Sequence, residues 1–125
     1  MGGRGAWSRT AARAPYFRKP YIRRSRVSDY LLNPKKSKGK QQWLASLGYN
    51  MRNQSRLQED LKNGLRTSRA RISEENRHGT IHVQVNMPIG INKVEMAVTG
   101  WIVRKGSGTI ELSTVRPYRG KKDDF

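Results

Sequence analysis

Apolar residues recur along this chain with two different periods, and the change of period separates a predicted helical region from a predicted sheet. Leu57, Leu61 and Leu65 recur every four residues, which predicts a helix with one apolar face. A shorter amphipathic helix is predicted over residues 41–47. The polar and basic residues 67–77 that follow the longer helix predict a loop with some helical character.

After residue 80 the period falls to two, which is typical of strands with one buried face. Ile81, Val83 and Val85 alternate with polar residues in the first of these strands. The predicted strands span residues 81–87, 92–104 and 109–115, with turns at residues 88–90 and 106–108. Helices that precede an antiparallel meander predict an α+β fold, with the helices packed on one face of a small sheet.

The alternation also assigns a face to each strand residue. In the middle strand, the residues expected to face the core are Val94, Met96, Val98 and Ile102. Gly100 interrupts this strand and predicts a bulge or a close approach of backbone. The opposite face of the sheet is expected to carry His82, Gln84, Thr99, Trp101, Glu111 and Ser113. We therefore predict that any functional site lies on this opposite face.

The predicted domain spans residues 27–119, between two segments of different composition. Residues 1–26 are basic, contain no acid and include several glycines and prolines, which predicts a flexible N-terminal arm. The aromatic residues of this arm leave three interpretations open: a solvated linker, a surface that stacks on unpaired bases, or an anchor that packs back on the domain. Residues 120–125 predict a polar tail that frays.

The net charge of the chain says more about the class of partner than the predicted fold does. The 125 residues carry a net charge of +17, which favours a polyanion: RNA, DNA, an anionic membrane or an acidic protein. The absence of cysteine excludes disulfides, thiolate catalysis and Cys-based zinc sites. Two histidines and nine acids, spread along the chain, predict no metal site and no cofactor. No apolar run approaches the roughly 20 residues of a membrane span.

Several short motifs, taken in order, resemble a small bacterial domain family found at the C-terminus of polymorphic toxins and in phage-encoded proteins. The resemblance covers residues 27–118. The motifs are Tyr30-Leu31-Leu32-Asn33-Pro34, Lys38-Gly39-Lys40, Leu47-Gly48-Tyr49, His78-Gly79-Thr80, Trp101-Ile102-Val103, and Leu112-Ser113-Thr114 followed by Pro117.

The resemblance implies a ribonuclease fold like that of barnase, EndoU, RelE and the colicin-type tRNases. It further implies a toxin domain that cleaves tRNA or other structured RNA without a metal and is neutralised by an acidic immunity protein. Such a domain would be secreted or delivered as part of a larger carrier protein and would act in the cytoplasm of the target cell. That group has no invariant catalytic set, so the candidate residues are chosen from this sequence.

Metal-free RNA cleavage uses the 2′-hydroxyl of the substrate as nucleophile, and the protein supplies a base, an acid and cations. His82 is the first candidate for proton transfer, because its strand position points it away from the core. His78 is the second, although it lies roughly 13 Å from His82 along an extended strand, too far to share one phosphate unless the chain bends at Gly79. The remaining catalytic candidates are Ser113, Thr114 and Arg116.

The candidates for nucleic-acid binding are mostly cations, with two aromatic residues among them. Lysines and arginines hold phosphates, and aromatic rings stack on bases. The candidates are Lys35, Lys36, Lys38, Lys40, Trp101, Arg104, Tyr118, Arg23 and Arg24.

Each candidate also has an ordinary structural interpretation. A strand histidine or hydroxyl can form cross-strand hydrogen bonds, and a lysine-rich loop can be a solvated surface. Two alternatives to an endoribonuclease therefore remain: a non-catalytic module that binds RNA or DNA, and an interaction protein whose basic surface docks an acidic partner.

Overall fold

The computed structural model of the chain describes residues 12–13, 19–33, 35–36, 39–72 and 79–125. Helix α1 spans Lys40–Ser46 and helix α2 spans Gln54–Thr67. The strands are β1 (Ala12–Arg13), β2 (Lys19–Tyr21), β3 (Arg69–Ile72), β4 (Ile81–Ile89), β5 (Glu95–Val103) and β6 (Thr109–Pro117). They form one sheet in the order β1-β3-β4-β5-β6-β2, which is antiparallel except that β2 runs parallel to β6. The α+β fold predicted from the sequence is confirmed.

Helix α2 covers one face of the sheet with the predicted leucine stripe. Leu57, Leu61 and Leu65 are buried in the same apolar cluster as the β4 side chains. Gly64 of α2 lies against Met87 of β4, and a Cβ at this position would overlap the Met87 side chain. Glycine thus allows the close approach, and the helix continues through it to Thr67.

A turn ahead of α2 fixes where that helix starts. The Asn50 side chain accepts hydrogen bonds from the backbone N–H groups of Arg52 and Asn53, and the Asn53 side chain accepts one from the N–H of Asn50. This reciprocal pair caps the 3-10 turn Met51–Asn53, which leads directly into α2.

The facing predicted for β5 is wrong, because the two faces are exchanged along the strand. Val94 and Met96 are 63% and 43% exposed, whereas Thr99 and Trp101 are buried at 0% and 1%. The pairing of β5 with β4 explains this, because Thr99 lies opposite Val85 and Trp101 opposite Val83, both of which face the helices. Trp101 therefore belongs to the core and is not available to stack on a base from the opposite face.

Strand β4 is longer than predicted, because it continues through the predicted turn at 88–90 to Ile89. Because β3 pairs with β4 only as far as Val85, Pro88 has a strand neighbour on one side only, and such an edge position tolerates proline. The chain then turns at Gly90, whose φ of +141° favours glycine. Strand β3 itself lies in the region that was predicted to be a loop.

The described part of the N-terminal arm is integrated into the sheet. Strand β2 pairs with β6, with Tyr21 opposite Glu111, and Ile22 is buried in the core. A helical segment over Arg26–Leu31 follows and buries Val27 and Leu31. The boundary predicted at residue 27 is corrected accordingly: residues 19–26 add an edge strand and core side chains, as expected if the arm packs back on the domain.

The C-terminal residues 120–125 were predicted to fray, and the structure instead docks them on the sheet. Gly120, with a φ of +107°, reverses the chain into a 3-10 turn over Lys121–Asp123. Asp123 is only 2% exposed. The reason is a set of hydrogen bonds between this residue and the sheet, and these bonds define part of the candidate site.

Candidate functional site

The sheet face opposite the helices, here called the outer face, carries side chains from β4, β5 and β6 in three rows. Residues directly opposite one another in antiparallel strands share a face. The rows are His82–Ile102–Glu111, Gln84–Gly100–Thr114 and Asn86–Val98–Arg116. Two strand spacings separate β4 from β6 across each row, or about 10 Å.

A cavity of about 370 Å³ opens on the outer face above Gly100. It exists because the central position of the middle row has no side chain, and a Cβ on Gly100 would lie 3.3 Å from the Thr114 hydroxyl oxygen. The outer-face side chains around it belong to His82, Gln84, Val98, Ser113, Thr114 and Arg116.

A β-bulge brings two hydroxyls to this cavity. Trp101 lies opposite Leu112 and Gly100 opposite Thr114, so Ser113 is an extra residue in β6 with no partner on β5 in this register. The bulge places Ser113 and Thr114 together at the cavity wall.

Arg116 reaches the cavity but is held by a carboxylate. Its two terminal nitrogens donate to the two carboxylate oxygens of Asp123 at 2.6 and 3.0 Å. Asp123 also accepts a hydrogen bond from the backbone N–H of Arg119 at 2.7 Å. The hydrogen bond from Arg116 is the main cause that lowers the pKa of Asp123 to about 2, and the same bond raises the pKa of Arg116.

The backbone carbonyl of Asp123 binds the outer face as well. It accepts hydrogen bonds from the side-chain amides of Gln84 and Asn86, at 3.0 and 2.7 Å. Arg71 of β3 donates to the carbonyl of Asp124 at 3.3 Å and lies over the ring of Phe125 at 5.1 Å. The C-terminal turn is therefore attached at one end of the outer face, beside the cavity.

The other end of the outer face carries a second group of paired charges. Glu111, whose side chain is 10% exposed, accepts hydrogen bonds from Arg23 at 3.0 Å and from Arg104 at 2.7 Å. Burial raises the pKa of Glu111, but the hydrogen bonds from the two guanidinium groups outweigh it and the net pKa is lowered. Both arginine side chains remain 56% exposed, so each keeps a solvent-facing side while paired.

The structure brings together all four of the predicted catalytic residues that it describes. His82, Ser113, Thr114 and Arg116 line the same cavity, and His82 is exposed. His78 and Lys38 lie outside the described residues. Whether any of these residues is catalytic stays a prediction.

The predicted phosphate-binding cations are divided between the two sides of the sheet. Lys35, Lys36 and Lys40 belong to the helical layer, because the loop that carries the first two leads into α1. Arg23 and Arg104 lie on the outer face, bound to Glu111. Of the remaining two candidates, Arg24 is exposed at the start of the segment after β2, and Tyr118 is 37% exposed and hydrogen-bonded to Asp124.

Asp123 is the site residue that sequence reasoning missed. It occurs in the short polar stretch Lys121-Lys122-Asp123-Asp124, which has neither apolar periodicity nor a turn signature that would indicate docking. The sequence did offer one signal for Asp123. The chain has only nine acids, so a carboxylate seven residues after Arg116 is a candidate ion-pair partner for that arginine.

Within the described ranges, no group of three His, Cys, Asp or Glu residues is placed to hold a metal ion. None of the helices in the described part of the chain is long and apolar enough to cross a membrane.

Comparison with known proteins identifies the family. The model of the family "Domain of unknown function (DUF6883)" matches residues 13–119, and the chain therefore belongs to this family. The matched segment contains β2 to β6 and both helices, and it ends just before the C-terminal turn. Neither a curated protein nor a solved structure matches the chain.

Proposed function

We propose that the outer face of the sheet binds single-stranded RNA, with the cavity above Gly100 holding part of one nucleotide. The observation that supports this proposal is the convergence of His82 and the two bulge hydroxyls on a cavity between clusters of cations. Hydroxyls and an imidazole can hydrogen-bond the ribose or the base edge of an unpaired nucleotide.

The positions of the cations on the outer face support a path for the sugar-phosphate backbone of the RNA across the cavity. Arg23 and Arg104 lie at one end of the face, and Arg71 and Arg116 lie at the other. Each phosphate neutralised by such a cation releases counterions, so binding is expected to weaken steeply with salt. The net charge of +17 attracts the RNA in general, and the cavity gives one nucleotide a defined position.

The test is fluorescence anisotropy with a labelled oligoribonucleotide at two or more salt concentrations. We expect His82→Ala and Gly100→Val to weaken binding by roughly three- to tenfold, because the first removes a polar wall residue and the second fills the cavity. Gln42→Ala, at an exposed residue of α1, is the neutral control and should leave the affinity unchanged.

A pair of arginine variants distinguishes binding at the outer face from a general effect of net charge. Arg104→Ala and Arg66→Ala change the net charge equally, but Arg66 is exposed on α2, in the helical layer. A larger loss of affinity for Arg104→Ala is the expected result. Equal losses for this pair, together with unchanged binding by the two cavity variants, would refute binding at the outer face.

Cleavage of the bound RNA is a second candidate function, favoured by the presence of His82, Ser113 and Thr114 around one cavity. In this mechanism the 2′-hydroxyl loses its proton and attacks phosphorus, and the 5′-oxygen leaves and takes up a proton. His82 would carry out one of the two proton transfers. Arg116 would stabilise the charge that develops on the phosphate oxygens after release from Asp123.

Incubation of the protein with RNA in EDTA tests this second function. Wild type should cut an all-ribose strand, His82→Ala should cut it at least a hundredfold more slowly, and a substrate with a 2′-deoxy sugar at the cut position should stay intact. Intact RNA in the wild-type reaction would eliminate cleavage and leave binding in place. The proposed toxin context, with an acidic immunity protein and a larger carrier, predicts that expression of wild type is toxic and that expression of His82→Ala is not.

A further inference from the structure

The C-terminal turn occupies the part of the outer face where a phosphate would meet a guanidinium. Arg116 donates two parallel hydrogen bonds to the Asp123 carboxylate, at 2.6 and 3.0 Å, which is the geometry that guanidinium groups also use for phosphate oxygens. The Asp123 carboxylate thus stands where a backbone phosphate of bound RNA would be expected to bind.

Asp123 makes most of the contacts that hold the turn in place. Its carboxylate binds Arg116 and the N–H of Arg119, and its carbonyl binds Gln84 and Asn86. Lys121 and Lys122 are both exposed. Since so much of the attachment depends on one residue, a ligand that competes for Arg116 would weaken the whole turn.

The turn also lies outside the part of the chain that defines the family. The family match ends at residue 119, whereas Arg116, Gln84 and Asn86 lie within it. The surface that receives the turn thus belongs to the matched domain, and the segment that covers it follows immediately.

We propose that residues 120–125 act as an intramolecular competitor at a phosphate subsite formed by Arg116, so that RNA gains this contact only when the turn lifts. The inference rests on the proposed RNA binding of the outer face and adds a subsite and its regulation. The apparent affinity falls with the fraction of molecules in which the subsite is accessible.

The decisive variant is Asp123→Asn, compared with Asp124→Asn. Both variants raise the net charge by the same amount at neighbouring positions of the turn and keep both lysines, but only Asp123 binds Arg116. We expect Asp123→Asn to tighten binding of a single-stranded oligoribonucleotide by about five- to tenfold, and Asp124→Asn by less than twofold. The Asp123→Asn effect should vanish when Arg116→Ala is also present.

The salt dependence gives an independent readout of the new contact. One additional phosphate contact on a single strand steepens the slope of log K against log salt by about 0.7. This steepening is expected for Asp123→Asn and not for Asp124→Asn. Equal affinities and equal slopes for wild type and the two variants would overturn the competitor role while leaving RNA binding itself intact.

Two NMR measurements keep the inference testable if a variant folds poorly or RNA does not bind. In the wild-type protein, saturating oligonucleotide should shift the backbone amides of residues 121–124 and speed their exchange with solvent, and an unchanged turn at saturation contradicts the inference. In Asp123→Asn, inorganic phosphate alone should perturb the Arg116 side-chain signals more than it does in wild type. Phosphate binding without RNA binding would retain the subsite and refute the proposed function, and no phosphate effect in any variant would refute the subsite.

Discussion

At the scale of single residues, Thr99 shows how a polar side chain can be buried in this sheet without a penalty. Its hydroxyl donates to the carbonyl of Val85 at 2.8 Å and accepts a hydrogen bond from the indole nitrogen of Trp101 at 2.8 Å. Both groups are otherwise enclosed, and buried polar groups that lose a partner destabilise the fold. Thr99 therefore satisfies the indole N–H of Trp101 within the core.

We predict that Thr99→Val lowers the free energy of unfolding by about 1–3 kcal/mol. The side chain keeps its shape, but the indole N–H of Trp101 loses its acceptor inside the core. Chemical denaturation followed by tryptophan fluorescence measures the loss. Thr114→Val is the matched control, since Thr114 is exposed on the neighbouring strand, and its effect should stay within about 0.5 kcal/mol. A similar loss for both variants would contradict the role assigned to the Thr99 hydroxyl.

At the scale of elements, the strongly periodic segments were predicted correctly from the sequence, and the segments fixed by distant partners were not. The leucine stripe of α2 and the alternation of β4 depend on local spacing, so both could be read directly. The prediction of which β5 residues face the core started from Val94 and Met96. These two residues are apolar, but they are exposed near the turn that precedes the strand. Only the pairing with β4 reveals that Thr99 replaces them in the core.

The candidate site follows the same rule. His82 was placed correctly on the outer face because β4 alternates cleanly, and the bulge at Ser113 is compatible with the expected irregularity near Gly100. The docking of the C-terminal turn could not be predicted, because it depends on hydrogen bonds from Gln84 and Asn86 to a backbone carbonyl some forty residues later. Sequence periodicity carries no signal for such a contact.

The packing of α2 on β4 leads to a prediction at this scale. Gly64→Ala should destabilise the protein by about 1–3 kcal/mol, because the added methyl group overlaps Met87, which is fully buried. Helix propensity alone predicts the opposite sign, with alanine favoured by about 1 kcal/mol. Thermal or urea denaturation distinguishes the two. Asn63→Ala, at an exposed position of the same helix, should be neutral or slightly stabilising, and stabilisation by both variants would show that Met87 moves away without cost.

At the scale of the whole molecule, two carboxylates on the outer face hold three arginines in fixed positions. Glu111 holds two arginines at one end and Asp123 holds Arg116 at the other, in a chain with a net charge of +17. These carboxylates fix the positions of guanidinium groups that would otherwise repel one another. The outer face is therefore a surface with ordered cations, which suits a partner with regularly spaced negative charges.

Acid is predicted to weaken the attachment of the C-terminal turn to the outer face. The pKa of Asp123 is about 2 in the folded protein, below the value of about 3.9 for an unperturbed aspartate. A lowered carboxyl pKa means that the stabilisation is complete above about pH 4 and is lost as the pH falls toward 2. Arg116 and Arg119 are the cations that face this carboxylate. NMR signals of the Arg119 amide between pH 6 and pH 2 should report the release, and Asp123→Asn should show no such transition.

The parallel pairing of β2 with β6 also has a consequence for the folding of the chain during synthesis. Arg23 binds Glu111 from 88 positions away, and β2 meets β6 in the same region. The ribosome therefore releases β2 long before its partner strand exists, and the edge of β6 becomes covered only when nearly the whole domain has emerged. Long-range parallel pairing is slow to form, and an uncovered strand edge is a site for association with other chains. The closing of this edge is thus expected to be among the last steps of folding, and the step most sensitive to premature contact with a neighbouring molecule.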